Sequence, residues 1–300
     1  MFKINNQKYR RAFSLIELSI VILIIGILVA GVTQSSRLVN SYRLIAIRTL
    51  TQNSPVITTN NLVAWWEPIM EKSFIEIEAS DGAQVSTWID NSPIWNSNKI
   101  DLLQNNPGLR PTYSANGVNG FPSLKFVAGQ SMQTASYVPD INGPRFTAFS
   151  VTLSYTWYNG HNTILSSRGG GSFAGWVSYS WRAPPGGFYQ VLTGAGGGWA
   201  ANNESTQTIR YNVPEIVTLV YNTNQMMVYQ NGVNVSSHIN NSFNRNLSSP
   251  FGIGTILQGG TNDYGFSGFI SEIIIFSRAL SNEERIEIDK YLSKKWGIKV

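Results

Sequence analysis

From residue 13 to residue 32 the chain begins Phe13-Ser-Leu-Ile-Glu17-Leu and continues as an apolar and small-residue run to Val32. Nineteen of these twenty positions are uncharged. As a helix rising about 1.5 Å per residue, the run spans about 30 Å, the hydrocarbon thickness of a bilayer. The exception is Glu17, one turn from the start. A carboxylate in such a run costs about 2–3 kcal/mol at the bilayer centre and less near its edge, so it marks function by default. Beyond Val32, Leu38, Tyr42, Ile45 and Leu50 recur at helical spacing with Val39, Ala46 and Ile47 beside them, while Arg37, Asn40, Arg43 and Arg48 fill polar positions. Pro55 ends the pattern, because the residue before a proline is biased away from the α conformation. The pattern predicts one helix over residues 13–52, apolar then amphipathic, followed by a linker at 53–61.

From Leu62 the period changes. Phe149, Val151, Leu153, Tyr155 and Trp157 alternate with Ser150, Thr152, Ser154 and Thr156, as in a strand with one buried face. Segments 215–221, 226–230, 252–254 and 269–276 also read as strands, and Asn231-Gly232 between two of them predicts a type I′ hairpin turn. Short strands at this spacing predict a mainly β fold, an antiparallel β-sandwich or jelly roll. The chain then closes on a helix. Ser281-Asn-Glu-Glu284 is a capping box, Ile286, Ile288, Leu292 and Trp296 line one face, Lys294 and Lys295 complement the last turn, and Gly297 ends it.

Composition and charge refine this picture. With 42% hydrophobic and 13% charged residues, 300 residues can fill one large core behind the apolar helix. The sequence pI near 9.3 comes from one end of the chain. Residues 1–48 hold seven Lys or Arg against Glu17 alone, leaving fifteen basic and sixteen acidic residues beyond, a net charge of −1. Nucleic acid is therefore not an expected partner, and a near-neutral head favours a neutral ligand recognised by stacking and hydrogen bonds. The absence of cysteine excludes disulfides, thiolate metal sites and a cysteine nucleophile.

A basic leader ending Arg10-Arg11-Ala12, then Phe13 and an apolar helix with Glu17 at its fifth position, resembles the prepilin signal of type IV pilins and pseudopilins. A secretory signal peptide would have a shorter apolar core and a cleavage site after it, and a plain signal anchor leaves Glu17 without a role. The resemblance implies cleavage between Ala12 and Phe13 by a prepilin peptidase and methylation of the Phe13 amine. It implies a role for Glu17 in assembly with other pilin or pseudopilin subunits. It also implies a single-pass subunit of the bacterial inner membrane, with residues 1–12 cytoplasmic and the head periplasmic or on the cell surface. The family usually has Gly where this chain has Ala12, and often a disulfide in the head that this chain lacks.

Four blocks follow in order: Leu62-Val-Ala-Trp-Trp66, Asp81-Gly-Ala-Gln-Val-Ser-Thr-Trp88, Tyr229-Gln-Asn-Gly-Val233 and Gly268-Phe-Ile-Ser-Glu-Ile-Ile-Ile-Phe276 with its run to Glu284. By these blocks residues 62–300 resemble a concanavalin A-like, laminin-G-type lectin/glucanase domain. Such domains are hydrolases or non-catalytic binders. Glycoside hydrolysis needs two facing carboxylates; Glu76-Ile-Glu78 has alternating spacing but lies in an early loop, so the expectation is no enzyme. His161 and His238 read as loop histidines. Calcium, known at the rim of some relatives, would draw on Asp90, Asp101 or Asp263, but no Asp-x-Asp cluster occurs, so no cofactor or metal is expected. The candidate ligand platform is residues 168–203, where Gly-rich runs bracket Trp176, Tyr179, Trp181, Tyr189 and Trp199. These aromatics either stack on a glycan or fill the sandwich. The function expected is a pilin-like, membrane-anchored subunit displaying a lectin-type head for adhesion or glycan binding. The alternatives are a plain anchored binding protein or an anchored glycan hydrolase.

Overall fold

The computed structural model describes residues 14–300, apart from 94–98, 128, 156–160, 168–174, 184–185, 196–197, 240–247 and 257–264. Side chains at 33–34, at 36–37 and at several strand positions between 161 and 239 are also outside the description. The chain divides into two compact units, Met1–Ala46 and Ile47–Val300.

The first unit is the bulk of helix α1 (Leu15–Gln52). Its stretch Leu15–Val32 has a mean hydropathy of 2.9 and is long and apolar enough to cross a membrane. Leu38, Val39, Tyr42 and Ile45 are exposed as well. The last turns of α1 belong to the second unit. There Arg48 donates from Nε to the Ile69 carbonyl at 2.9 Å and meets Glu71 at 2.7 Å. Pro55 does more than end α1: it occupies the first turn of a short helix α2 (Pro55–Thr58), where its missing N–H has no partner to lose.

Sixteen strands follow among the described residues, beginning with β1 (Leu62–Trp66), β2 (Thr87–Trp88), β3 (Leu102–Leu103), β4 (Thr112–Ser114), β5 (Ser123–Phe126) and β6 (Met132–Thr134). The longer ones are β7 (Arg145–Ser154), β8 (His161–Ser166), β9 (Trp176–Ala183), β10 (Gly186–Ala195) and β11 (Gly198–Thr208). The last are β12 (Glu215–Asn222), β13 (Gln225–Gln230), β14 (Val233–Ile239), β15 (Gly252–Ile253) and β16 (Gly268–Phe276), before helix α3 (Asn282–Trp296). They form two antiparallel sheets. One runs β14-β13-β12-β7-β16-β5-β4 with β1 on β16, the other β11-β10-β9-β8-β15-β6-β3-β2.

The main core lies between the sheets, where Trp66 stacks on Phe251 at 5.8 Å and Phe146 on Trp176 at 4.7 Å. The first sheet is buried on its other face too. Thr218 of β12 pairs with Phe149 of β7, so the two share a face, and the Thr218 hydroxyl bonds Asp289 of α3 at 3.0 Å. Phe149 and Val151 therefore lie on the α3 side, while Ser150, paired with core Val217, points between the sheets. Thus β7 is buried on both faces, not one. In β16 a bulge between Ile270 and Glu272 breaks the alternation. It keeps Ile270, Ile273 and Ile275 in the core while aiming Glu272 at α3.

The hairpin turn and the helix ends form as their residues dictate. Asn231 and Gly232 both take positive φ, 50° and 76°. Ser281 accepts from the Glu284 amide while Glu284 accepts from Ser281 N, and Gly297 closes α3 in the left-handed region.

Candidate functional site

Ala12 and Phe13 lie outside the described residues. From Ser14 onward the helix start is capped reciprocally. The Ser14 hydroxyl accepts from the Ile16 amide at 3.3 Å, and the Ser14 amide donates to Glu17 Oε2 at 2.9 Å. The Glu17 carboxylate is thus folded back on the first turn, where the unpaired amides of a helix favour negative charge. It is the one ionisable side chain in the apolar stretch Leu15–Val32.

In the head, two of the proposed platform aromatics are interior. Trp176 is 0% exposed, pressed between Phe146 and Phe251, with its indole N–H on the Ile141 carbonyl at 3.4 Å. Tyr189 is buried and donates its hydroxyl to Glu215 Oε2 at 2.9 Å. Burial and the adjacent carboxylate hold that phenol well above its ordinary pKa. Neither can stack on an external sugar, and for these two the sandwich-filling reading applies. Tyr179 and Trp181 lie along β9 opposite Gln190 and Phe188, and Trp199 lies in β11 opposite Gly194. Their side chains are outside the description. At the ends of the second Gly-rich run, Gly194 pairs with Trp199 and Ala195 with Gly198 across β10 and β11, and the first run, 168–171, lies outside the described residues.

The remaining polar candidates have structural partners. Glu76 and Glu78 sit on a 3-10 turn, Glu76–Glu78, and Glu78 takes the Ser86 amide and hydroxyl at 3.0 and 2.6 Å. Asp90 is buried and accepts from the amides of Trp65, Ser92 and Ile100 and from the Ser92 hydroxyl. Asp101 takes the Asp90 amide, and Asp263 is outside the described residues. His161 and His238 lie on strands β8 and β14 and not in loops. Among the described residues no group of three or more His, Cys, Asp or Glu could hold a metal ion.

One constellation escapes a reading of the sequence. Lys295, expected at an open helix end, is 0% exposed and bridges Glu67 at 2.9 Å and Glu272 at 3.0 Å. Trp65 and Trp296 donate their indole N–H groups to Glu272 at 2.8 and 2.6 Å, and the Tyr291 hydroxyl donates to it at 2.9 Å. Glu67 also receives the amides of Ile69 and Met70 and the Ser73 hydroxyl. Every oxygen is engaged and the group is sealed from solvent, so these paired carboxylates cannot flank a substrate bond. The signal was helical periodicity: Lys295 falls three positions after Leu292 and seven after Ile288, on the buried stripe.

Two facing antiparallel sheets, with a capped helix laid on one of them, make the head a lectin-type β-sandwich, joined to an apolar N-terminal helix. The profile of the concanavalin A-like lectin/glucanases superfamily matches residues 128–284, and the chain belongs to that superfamily. A second profile, the prokaryotic N-terminal methylation motif, matches residues 7–33. The protein thus joins a pilin-like N-terminal motif, which marks a membrane-anchoring segment, to a lectin/glucanase-like head.

No curated protein matches the chain. Among solved structures, domain 4 of AbnA, an extracellular arabinanase from Geobacillus stearothermophilus in complex with arabinotriose, is 16% identical with a TM-score of 0.50. That match covers 76% of this chain and 97% of the other. The binding domain of Paraclostridial Mosquitocidal Protein 1 is 16% identical at a TM-score of 0.53, covering 78% of this chain and 52% of that one. Trypanosoma rangeli sialidase with the inhibitor DANA is 16% identical at 0.51, covering 81% and 34%. This chain therefore spans about half of the toxin domain and about a third of the sialidase. At such identities the likeness is one of fold.

Proposed function

We propose that the protein is a pilin-like or pseudopilin-like subunit that displays a lectin-type head for adhesion or glycan binding, assembled by a type IV pilus or type II secretion-like machine. The observation that carries this reading is Glu17 within the methylation motif, its carboxylate folded onto the first turn of an otherwise apolar helix. A prepilin peptidase would cut between Ala12 and Phe13 on the cytoplasmic side of the inner membrane and methylate the new amine. In a fibre, Glu17 then meets the Phe13 amine of an adjacent subunit, and each removes the other's cost of lying in an apolar core. The head, periplasmic or at the cell surface, acts as a binder and not a hydrolase. Support for that comes from the Glu67–Glu272 pair, which is sealed around Lys295.

Mass spectrometry of protein taken from the native membrane tests the first half, and a glycan array probed with the full chain in detergent tests the second. The expected results are an N-methylated Phe13 terminus lacking residues 1–12, and selective glycan retention. An intact Met1 would sink the pilin assignment and leave a plain anchored binder. An array without a hit removes the lectin role.

A further inference from the structure

At one end of the sandwich, the segment joining β11 to β12, the β13–β14 turn and the tail after α3 frame an open cleft of about 850 Å³. Its lining includes Arg210, Val213, Pro214, Gln207, Asn231 and Lys299, and no carboxylate side chain. Arg210 is held from behind. Its Nε donates to Glu215 Oε1 at 3.1 Å, and Glu215 is itself only 1% exposed. The same oxygen accepts from Gln230 Nε2 at 2.8 Å, while Oε2 accepts from the Tyr189 hydroxyl at 2.9 Å. Three donors thus fix one buried carboxylate, and that carboxylate fixes one edge of the guanidinium.

The other edge is free. The Arg210 side chain is 55% exposed, and neither Nη group has a partner among the described residues. A guanidinium with its Nε engaged still offers a planar two-nitrogen fork that fits both oxygens of a carboxylate. Because the ion pair to Glu215 already restricts the side chain, less rotamer freedom is lost when a ligand docks. Lys299 is exposed and adds a second cation at the rim. Val213 and Pro214 provide an aliphatic surface, and the Gln207 and Asn231 amides can meet hydroxyls. A head close to neutral overall can still present this locally cationic fork.

We propose that the cleft binds a carboxylate-bearing sugar, with its carboxylate on the Nη fork of Arg210 and its ring along Val213 and Pro214. This rests on the reading of the head as a glycan binder, and adds to it a place and a ligand class. A uronate and a sialate share the required chemistry.

Calorimetry on the full chain in detergent micelles, with trigalacturonate and 3′-sialyllactose against galactotriose and lactose, tests the assignment. At least one acidic sugar should bind about tenfold or more tighter than its neutral counterpart, and which one does so separates a uronate from a sialate. Arg210→Lys keeps a cation for Glu215 but loses the fork, and should weaken that binding about tenfold. Val213→Trp leaves the ion pair untouched and crowds the ring-binding surface beside Arg210, so it should weaken binding about tenfold or more with the melting temperature unchanged. Acidic sugars that bind no tighter than neutral ones, or binding that survives either variant, would overturn the proposal. Array hits confined to neutral glycans would overturn this site while the lectin role stands; an array with no hits removes both.

Discussion

Lys295 shows how much one side chain can be asked to balance. Two buried carboxylates share its single ammonium, and their four oxygens are further held by Trp65, Trp296, Tyr291, Ser73 and two backbone amides. Removing the ammonium alone leaves both charges in a dry environment, which costs about 3–5 kcal/mol. Lys295→Met should therefore lower the melting temperature of the head sharply, and adding Glu67→Gln should recover part of the loss. A variant that melts like the parent would mean that the network carries no net stability. Composition could not foretell the cluster, because Glu67 and Glu272 meet Lys295 only when strand, bulge and helix come together. Trp176 and Tyr189 carry the same lesson: an aromatic in a Gly-rich context reads as open until the partner sheet is placed over it.

Helix α3 titrates through its cap. Arg278 grips Glu284 with two nitrogens at 2.7 and 2.6 Å, and this, with the Ser281 amide, holds the Glu284 carboxyl down to about 2. The folded pKa lies below the unfolded one, so the contribution is full above the ordinary carboxylate range and is lost as pH falls towards about 2. Melting followed by circular dichroism at pH 7, 4 and 2 should show a decline below about pH 4.5 that Glu284→Gln flattens. An identical decline in that variant would place the acid sensitivity elsewhere. The cap, the Asn231-Gly232 turn and the long apolar strands were legible because each depends on neighbours in the chain. The two faces of β7, the bulge at Ile270 and Glu272 and the very short strands β2 and β3 were not, since partners distant in sequence define them.

For the protein entire, the N-terminal helix was the most legible part, because a bilayer imposes length and polarity on any chain that crosses it. Glu17→Ala should leave membrane insertion intact or improve it, since a costly charge is gone. Incorporation into sheared fibres, read by immunoblot, should fail, because under the proposed pairing the Phe13 amine would be left without a partner. Normal incorporation would refute the pairing.

The compact head begins at Ile47, inside α1, and Arg48 and Thr51 are its first clasps. Arg48 reaches the Ile69 carbonyl and Glu71, and the buried Thr51 hydroxyl lies 3.5 Å from that of Tyr291. The natural seam for shuffling heads between such anchors therefore lies before Ile47, within a continuous helix, and not in the Pro55 segment where the helix visibly stops. A head transplanted with that final turn arrives with its own latch. One joined at residue 53 leaves Glu71 and Tyr291 without those partners.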